Sequence, residues 1–267
     1  MDSCLASFDG TSLCYRYNTF KGRKTPFVFI HGLSGNRTAF KGVIKLLNKR
    51  KIPNLAFDLR GHGKSSKRAD ITVSNCAHDL HGILEEEKIS KCILVAHCFG
   101  GPIALEFYRL FPENVKKIVL MNTTHGNPFT GKDIHPKITS ILLGILKKSL
   151  KYHKPVRKRF LYNNCMLYKN KGMLHIFLKD LLANPTETYI QSLIAYLGND
   201  QEDVLSKITV PVLILGGKKD MYISYKASEI LHRKIRNSKL VMLENADHIP
   251  VIRNPELISR LLLDFCT

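Results

Sequence analysis

Leu94-Val95-Ala96-His97-Cys98-Phe99-Gly100-Gly101-Pro102 decides the fold. The residues before Cys98 are apolar without polar alternation, as in a strand covered on both faces. Those after it continue as a helical pattern to Leu110, and Pro112 stops it. Cys98 therefore sits at a sharp bend between strand and helix, where its side chain is lifted clear of the sheet. Gly100 and Gly101 remove side-chain bulk where the turn is tight and the helix passes the strand. The bend is also a helix N-terminus, whose N–H groups and dipole favour a thiolate.

Outward from this elbow, strand and helix alternate. Asp9-Gly10 is a turn between two short strands, 5–8 and 13–17. Buried strands are predicted at Phe27–Ile30, Asn54–Phe57, 92–96 and Val115–Met121. Asn36 is placed to cap a helix reaching about residue 50, and Ser74 to begin one reaching about 87. Strands at 212–215 and 239–243 resume the pattern, and a helix over 254–265 closes it. Such alternation implies an α/β protein, a mostly parallel sheet with helices on both faces.

Between 126 and 203 the pattern changes to helices without strands, at 138–150, 173–182 and Thr186–Leu197. The expected organisation is a core of 1–125 and 204–267 interrupted by a helical cap, 126–203. Ligands of open α/β sheets bind outside the carboxyl ends of the strands. A cap there would roof a pocket.

Three other segments lead to that same edge. His31-Gly32-Leu33 follows the third strand, so the Leu33 and Phe99 N–H groups could form a two-donor oxyanion hole. Asp220 lies just beyond the strand at 212–215, and His248 just beyond the last strand. A carboxylate held against an imidazole fixes its tautomer, and the imidazole can take the nucleophile's proton. The order nucleophile, acid, histidine is met by Cys98, Asp220 and His248. Asn122-Thr123-Thr124, after the strand ending at Met121, offers no alternative carboxylate, and Asp247 is too close to His248 in the chain to orient its ring.

The chain resembles the α/β-hydrolase superfamily. The resemblance rests on His31-Gly32, on Asp58-Leu59-Arg60-Gly61-His62-Gly63-Lys64-Ser65, which is similar to the D-x-R-G-x-G-x-S segment of small lipases and esterases, and on Asp220 and His248. It implies a catalytic triad, an oxyanion loop and a helical cap that selects the acyl or leaving group. The elbow departs from the family's G-x-S-x-G: it reads Ala96-His97-Cys98-Phe99-Gly100. A cysteine nucleophile occurs in dienelactone hydrolases and polyhydroxyalkanoate synthases, and the latter's G-x-C-x-G-G elbow is similar. Asp58 is expected to shape its loop through bonds to backbone N–H groups. His125, at the cap entrance, is a candidate pocket residue. His97 is expected to point away from Cys98, by strand alternation, toward the loop of His62.

A free thiol, with a pKa of about 8.5, is a few per cent ionised at neutral pH, so it needs less help from its base than serine does. The resulting thioester can pass its acyl group to water, a thiol, an alcohol or an amine. The first expectation is a hydrolase of carboxylic esters or thioesters. The second is an acyltransferase, and the third a hydrolase-fold binding protein without catalysis.

The 267 residues carry 41 basic and 22 acidic side chains, a formal charge of +19. No zinc finger, arginine-rich arm or RNA-recognition motif accompanies that charge, so specific nucleic-acid binding is not expected. From 126 to 200, 12 basic residues stand against 4 acidic ones, which fits an anionic small-molecule substrate. We read the basic stretch 147–159, behind apolar 141–146, as a lid helix with a wet end. Weak contact with a membrane surface is the alternative. Seven cysteines, an odd number without C-x-x-C pairs, and a start without a secretory signal lead to an expected cytoplasmic chain with free thiols. His78 and His81, one helical turn apart, lack a third ligand, and no Rossmann or Walker loop occurs. Neither metal nor cofactor is expected. Oligomeric state has no sequence signal.

Overall fold

The computed structural model describes residues 2–22, 24–66, 69–130, 136–152, 164–172, 174–176, 179 and 185–266. Eight strands form one sheet: β1 Ser3–Ala6, β2 Ser12–Asn18, β3 Phe27–Ile30, β4 Asn54–Phe57, β5 Cys92–His97, β6 Val115–Met121, β7 Val212–Gly217 and β8 Ser238–Leu243. Their spatial order is 1-2-4-3-5-6-7-8. β1 and β2 pair antiparallel, as do β2 and β4; every other pairing is parallel.

Period-two alternation along the central strands divides the core into two layers. Val28, Ile30, Leu94 and Ala96 face α2 (Val73–Glu86), α3 (Gly100–Leu110) and a later helix, Tyr225–Lys234. Phe27, Phe29, Ile93 and Val95 face the opposite layer, with Val43 and Leu47 of α1 (Lys41–Lys49) and Ile258 and Leu262 of the last helix, Pro255–Cys266. Strands covered on both faces have no polar side, which is why β3 and β4 are uniformly apolar or buried.

The chain runs from β3 to β4 on one side, then crosses back so that β5 lies on the other side of β3. The strand order thus reverses at β3, and a crevice opens beyond the carboxyl ends of β3 and β5. Cys98 and the 31–35 loop stand there. Between β6 and β7 the chain leaves the sheet for an inserted helical region. It includes α4 (Pro136–Tyr152), α5 (Thr186–Leu197) and a short turn of helix, Glu202–Leu205. Most of the helix expected over 173–182, and the basic residues beyond 152, lie outside the described residues.

Two local expectations are corrected. Thr72, not Ser74, caps α2: its side chain accepts from the Asn75 N–H and helical geometry starts at Val73. Cys4 and Cys14 are not free thiols; they are disulfide-bonded. The antiparallel register places them directly opposite one another, a proximity that spacing along the chain does not reveal. Cys76, Cys92, Cys98, Cys165 and Cys266 are not disulfide-bonded. No described helix is long and apolar enough to cross a membrane.

Candidate active site

The elbow at Cys98 is strained in the expected way. Cys98 has φ +52°, in the left-handed region that non-glycine residues seldom occupy. Its N–H is held by the Met121 carbonyl at 3.1 Å, and its carbonyl accepts from Thr123 Oγ1 at 2.5 Å. Neighbouring backbone leaves no room for larger residues. A Cβ at Gly100 would lie 2.4 Å from the Ile30 carbonyl oxygen, and one at Gly101 would lie 2.0 Å from Thr123 Oγ1. The helix can start so soon after Cys98 only because both are glycine.

Across the crevice, the 31–35 loop reaches Cys98 closely enough that a Cβ on Gly32 would sit 2.9 Å from Cys98 Cβ. His31, fully buried, sets that loop. Its Nδ1 donates to the Gly32 carbonyl at 2.9 Å and its Nε2 accepts from the Leu59 N–H at 3.0 Å. The Leu33 N–H follows Gly32 in that loop, and the Phe99 N–H follows Cys98 in the chain. Neither is committed to another hydrogen bond among the described residues.

His248 comes from the loop after β8. Its Nδ1 donates to Asp220 Oδ2 at 2.8 Å. Asp220, whose side chain is 1% exposed, accepts the Tyr222 and Ile223 N–H groups on Oδ1, at 2.8 and 3.0 Å. Cys98 lines the same cavity as His248, close enough for its sulfur to act on the ring. Burial opposes a charged His248, but the sulfur of Cys98 and the carboxylate of Asp220 outweigh it and raise the imidazole to about 10.

Asp58 is fully buried and accepts from the Arg37 and Lys64 N–H groups, both at 2.8 Å, and from the Arg37 guanidinium at 2.9 Å. Arg60 of the same segment is clamped by Asp79 through bonds of 2.7 and 2.6 Å. These residues shape the loop below the site and do not enter it.

Two histidines stand elsewhere than the sequence suggests. His97 packs on the ring of His248, centroids 4.9 Å apart, while it is His31 that packs on His62. His97 Nε2 donates to the His248 carbonyl at 2.7 Å. Burial, then the charge on His248, lowers His97 to about 3, so its ring stays neutral. His125 is not among the residues that line the cavity. Its ring is turned instead toward Glu202, with Nε2 3.8 Å from the carboxylate. His125, Asp200 and Glu202 are the one group among the described residues close enough to share a metal ion; both carboxylates are exposed, and Glu202 is already paired with Lys234. His78 and His81 pack against the ring of Phe111.

Three further residues at the site belong to no sequence motif. Asn122 Nδ2 donates to the Asp247 carbonyl and its Oδ1 accepts the Gly217 N–H, joining the loops that carry His248 and Asp220. Thr123 holds the Cys98 carbonyl. Tyr196, from α5, packs its ring on Phe99 at 5.4 Å.

A cavity of about 330 Å³ opens over Cys98 and His248. Its walls are mostly apolar or aromatic, with Leu33 and Ala39 from the core and Phe129, Leu142, Tyr189 and Leu193 from the inserted region. Among the described residues no lysine or arginine lines it, so these residues lend the expected anionic substrate no support.

Comparison with known proteins follows this geometry. The family described as alpha/beta hydrolase fold matches residues 25–146. The chain has the α/β-hydrolase fold. The uncharacterized hydrolase YugF of Bacillus subtilis is 28% identical, over 96% of this chain and 95% of its own length. Monoacylglycerol lipase ABHD6 of Mus musculus is 24% identical over 97% and 81%. Among solved structures, the esterase EaEST of Exiguobacterium antarcticum superposes with a TM-score of 0.80 at 22% identity, covering 100% of this chain and 99% of that one. The enol-lactonase of Burkholderia xenovorans LB400 has a TM-score of 0.76 at 19% identity, covering 98% and 99%. At these identities the structural likenesses speak for the fold alone.

Proposed function

We propose that this chain is a hydrolase of carboxylic esters or thioesters that works through an acyl-enzyme on Cys98. The observation that carries the proposal is that Cys98 lines one cavity with His248, whose ring is held by Asp220. The name of one sequence relative, monoacylglycerol lipase, supports an ester substrate.

Acylation begins with the proton of Cys98 on His248. Sulfur attacks the carbonyl carbon, and the oxygen takes the electron pair, facing the Leu33 and Phe99 N–H groups. His248 then gives its proton to the leaving oxygen or sulfur as that bond breaks. In deacylation His248 removes a proton from water, whose oxygen attacks the thioester; the C–S bond breaks and the thiolate returns. Asp220 holds the ring in the tautomer that makes Nε2 the working atom.

The apolar cavity supports a neutral, hydrophobic acyl group. We take residues 126–203 as one cap that roofs it. On the outer side of α4, Ile138, Ile141 and Ile145 are 55%, 62% and 60% exposed, and Lys147 and Lys148 are exposed beside them. Leu142 of the same helix lines the cavity. This arrangement supports weak contact between the cap and an anionic lipid surface.

The test is turnover of p-nitrophenyl esters of increasing acyl length by the parent and by Cys98→Ala. The proposal expects activity that rises from acetate toward medium chains and falls at least a thousandfold in the variant. Equal activity in both would overturn it. Adding an amine or thiol acceptor separates hydrolysis from acyl transfer by the product that accumulates.

A further inference from the structure

Helix α5 buries Thr188, Ser192 and Tyr196, four residues apart on one face. The first two have intrahelical or loop partners nearby: Ser192 Oγ donates to the Thr188 carbonyl, and Thr188 packs over Gly61. Tyr196 differs. It is 2% exposed, and its hydroxyl makes no hydrogen bond of normal geometry. A polar atom buried in that state destabilises the resting protein unless something else uses it.

The surroundings of the hydroxyl identify the use. Cys98, Thr123 and Asp220 are the groups near enough to act on it, the sulfur of Cys98 foremost. Thr123 already gives its proton to the Cys98 carbonyl. Tyr196 lines the cavity together with Cys98 and His248. Burial and then the charge of the sulfur push the phenol well above its ordinary range, so it keeps its proton. It is a donor without an acceptor, beside the one atom of the site that gains negative charge twice in each cycle.

We infer that Tyr196 is a catalytic residue carried by the inserted region, its O–H donating a hydrogen bond to the Cys98 sulfur whenever that sulfur is a thiolate; this rests on Cys98 being the nucleophile proposed above. The bond forms once His248 has taken the proton of Cys98 ahead of acylation. It forms again in deacylation, when water has given a proton to His248, the new C–O bond has formed, and the C–S bonding pair leaves on sulfur. Tyr196 transfers no proton and ends the cycle as it began. Because α5 belongs to the cap and Cys98 to the sheet, lifting the cap would remove the donor, so the nucleophile is fully activated only under a seated cap.

The test uses Tyr196→Phe, which keeps the ring and its packing on Phe99. Alkylation of Cys98 by iodoacetamide is followed by intact mass across pH, with Cys98→Ala as the blank for the other thiols. Deacylation is followed after a pulse of p-nitrophenyl acetate. The expected results are an alkylation profile displaced to higher pH, alkylation about tenfold slower at pH 7, and deacylation slowed by a similar factor, at a melting temperature close to the parent's. A parent-like alkylation profile would overturn the inference, whatever the loss of turnover, because a purely structural hydroxyl leaves that profile in place. If instead the parent is acylated at a site that survives in Cys98→Ala, the nucleophile assignment itself fails, and that outcome is told apart by the blank.

Discussion

His97 Nε2 donates to the main-chain carbonyl of His248 at 2.7 Å. The residue before the nucleophile thus holds the backbone of the residue proposed as base, 151 positions later in the chain. Because burial keeps His97 neutral, its Nε2–H is available as a donor across the working pH range. His97→Ala is expected to free that loop and lower kcat about tenfold, one hydrogen bond of about 1.4 kcal/mol in the transition state, with KM little changed. A kcat equal to the parent's would remove His97 from the machinery.

The raised imidazole gives acylation a pH signature. His248 must carry a proton to release the leaving group, and with a value of about 10 it does so below that pH. Acylation should therefore hold through the neutral range and decline as pH rises through about 10. Asp220→Asn removes a charge that favours the imidazolium, so the decline should move to lower pH. Burst kinetics with an activated ester at a series of pH values read this directly. An alkaline limb that stays put in Asp220→Asn contradicts the assigned pair.

Gly100 faces backbone, which cannot move aside as a side chain can. A methyl group 2.4 Å from the Ile30 carbonyl oxygen must shift the helix or the strand. Gly100→Ala is expected to cost about 1–3 kcal/mol of stability, the range for overpacked sites, and to abolish activity. Denaturant unfolding checks the first part, and a parent-like midpoint would show that the elbow is looser than described.

Contact with lipid is a separate prediction. Ile141→Asp with Ile145→Asp, both on the exposed side of α4, should reduce co-sedimentation with phosphatidylglycerol vesicles several-fold and leave turnover of a water-soluble ester unchanged. Neither parent nor variant sedimenting would end the proposal of a lipid-facing cap.

Strands whose two faces are both covered were readable to the residue: β3, β4 and β6 need apolar side chains at nearly every position. Elbow, acid and histidine were legible because each follows a strand end, and all parallel strand ends meet at one edge. What depends on register or on helix phase was not. Cys4 and Cys14 meet only because β1 and β2 pair in one register. His125 leaves the same sheet edge as the site residues, yet its ring turns toward Glu202. Tyr196 lies in a helix whose pattern is apolar nearly all round, so nothing along the chain says which side faces the sulfur. His97 was expected to turn toward the loop of His62; its packing on His248, 151 positions away, is beyond the reach of strand alternation.

The most direct measurement is intact mass followed by peptide mapping after brief exposure of the parent and Cys98→Ala to a medium-chain p-nitrophenyl ester. One acyl group on the peptide containing Cys98 in the parent, decaying as water clears it and absent from the variant, is the predicted result. A parent that turns the ester over with the acyl group on another residue, or that labels identically to the variant, would contradict the assignment of Cys98 as the nucleophile.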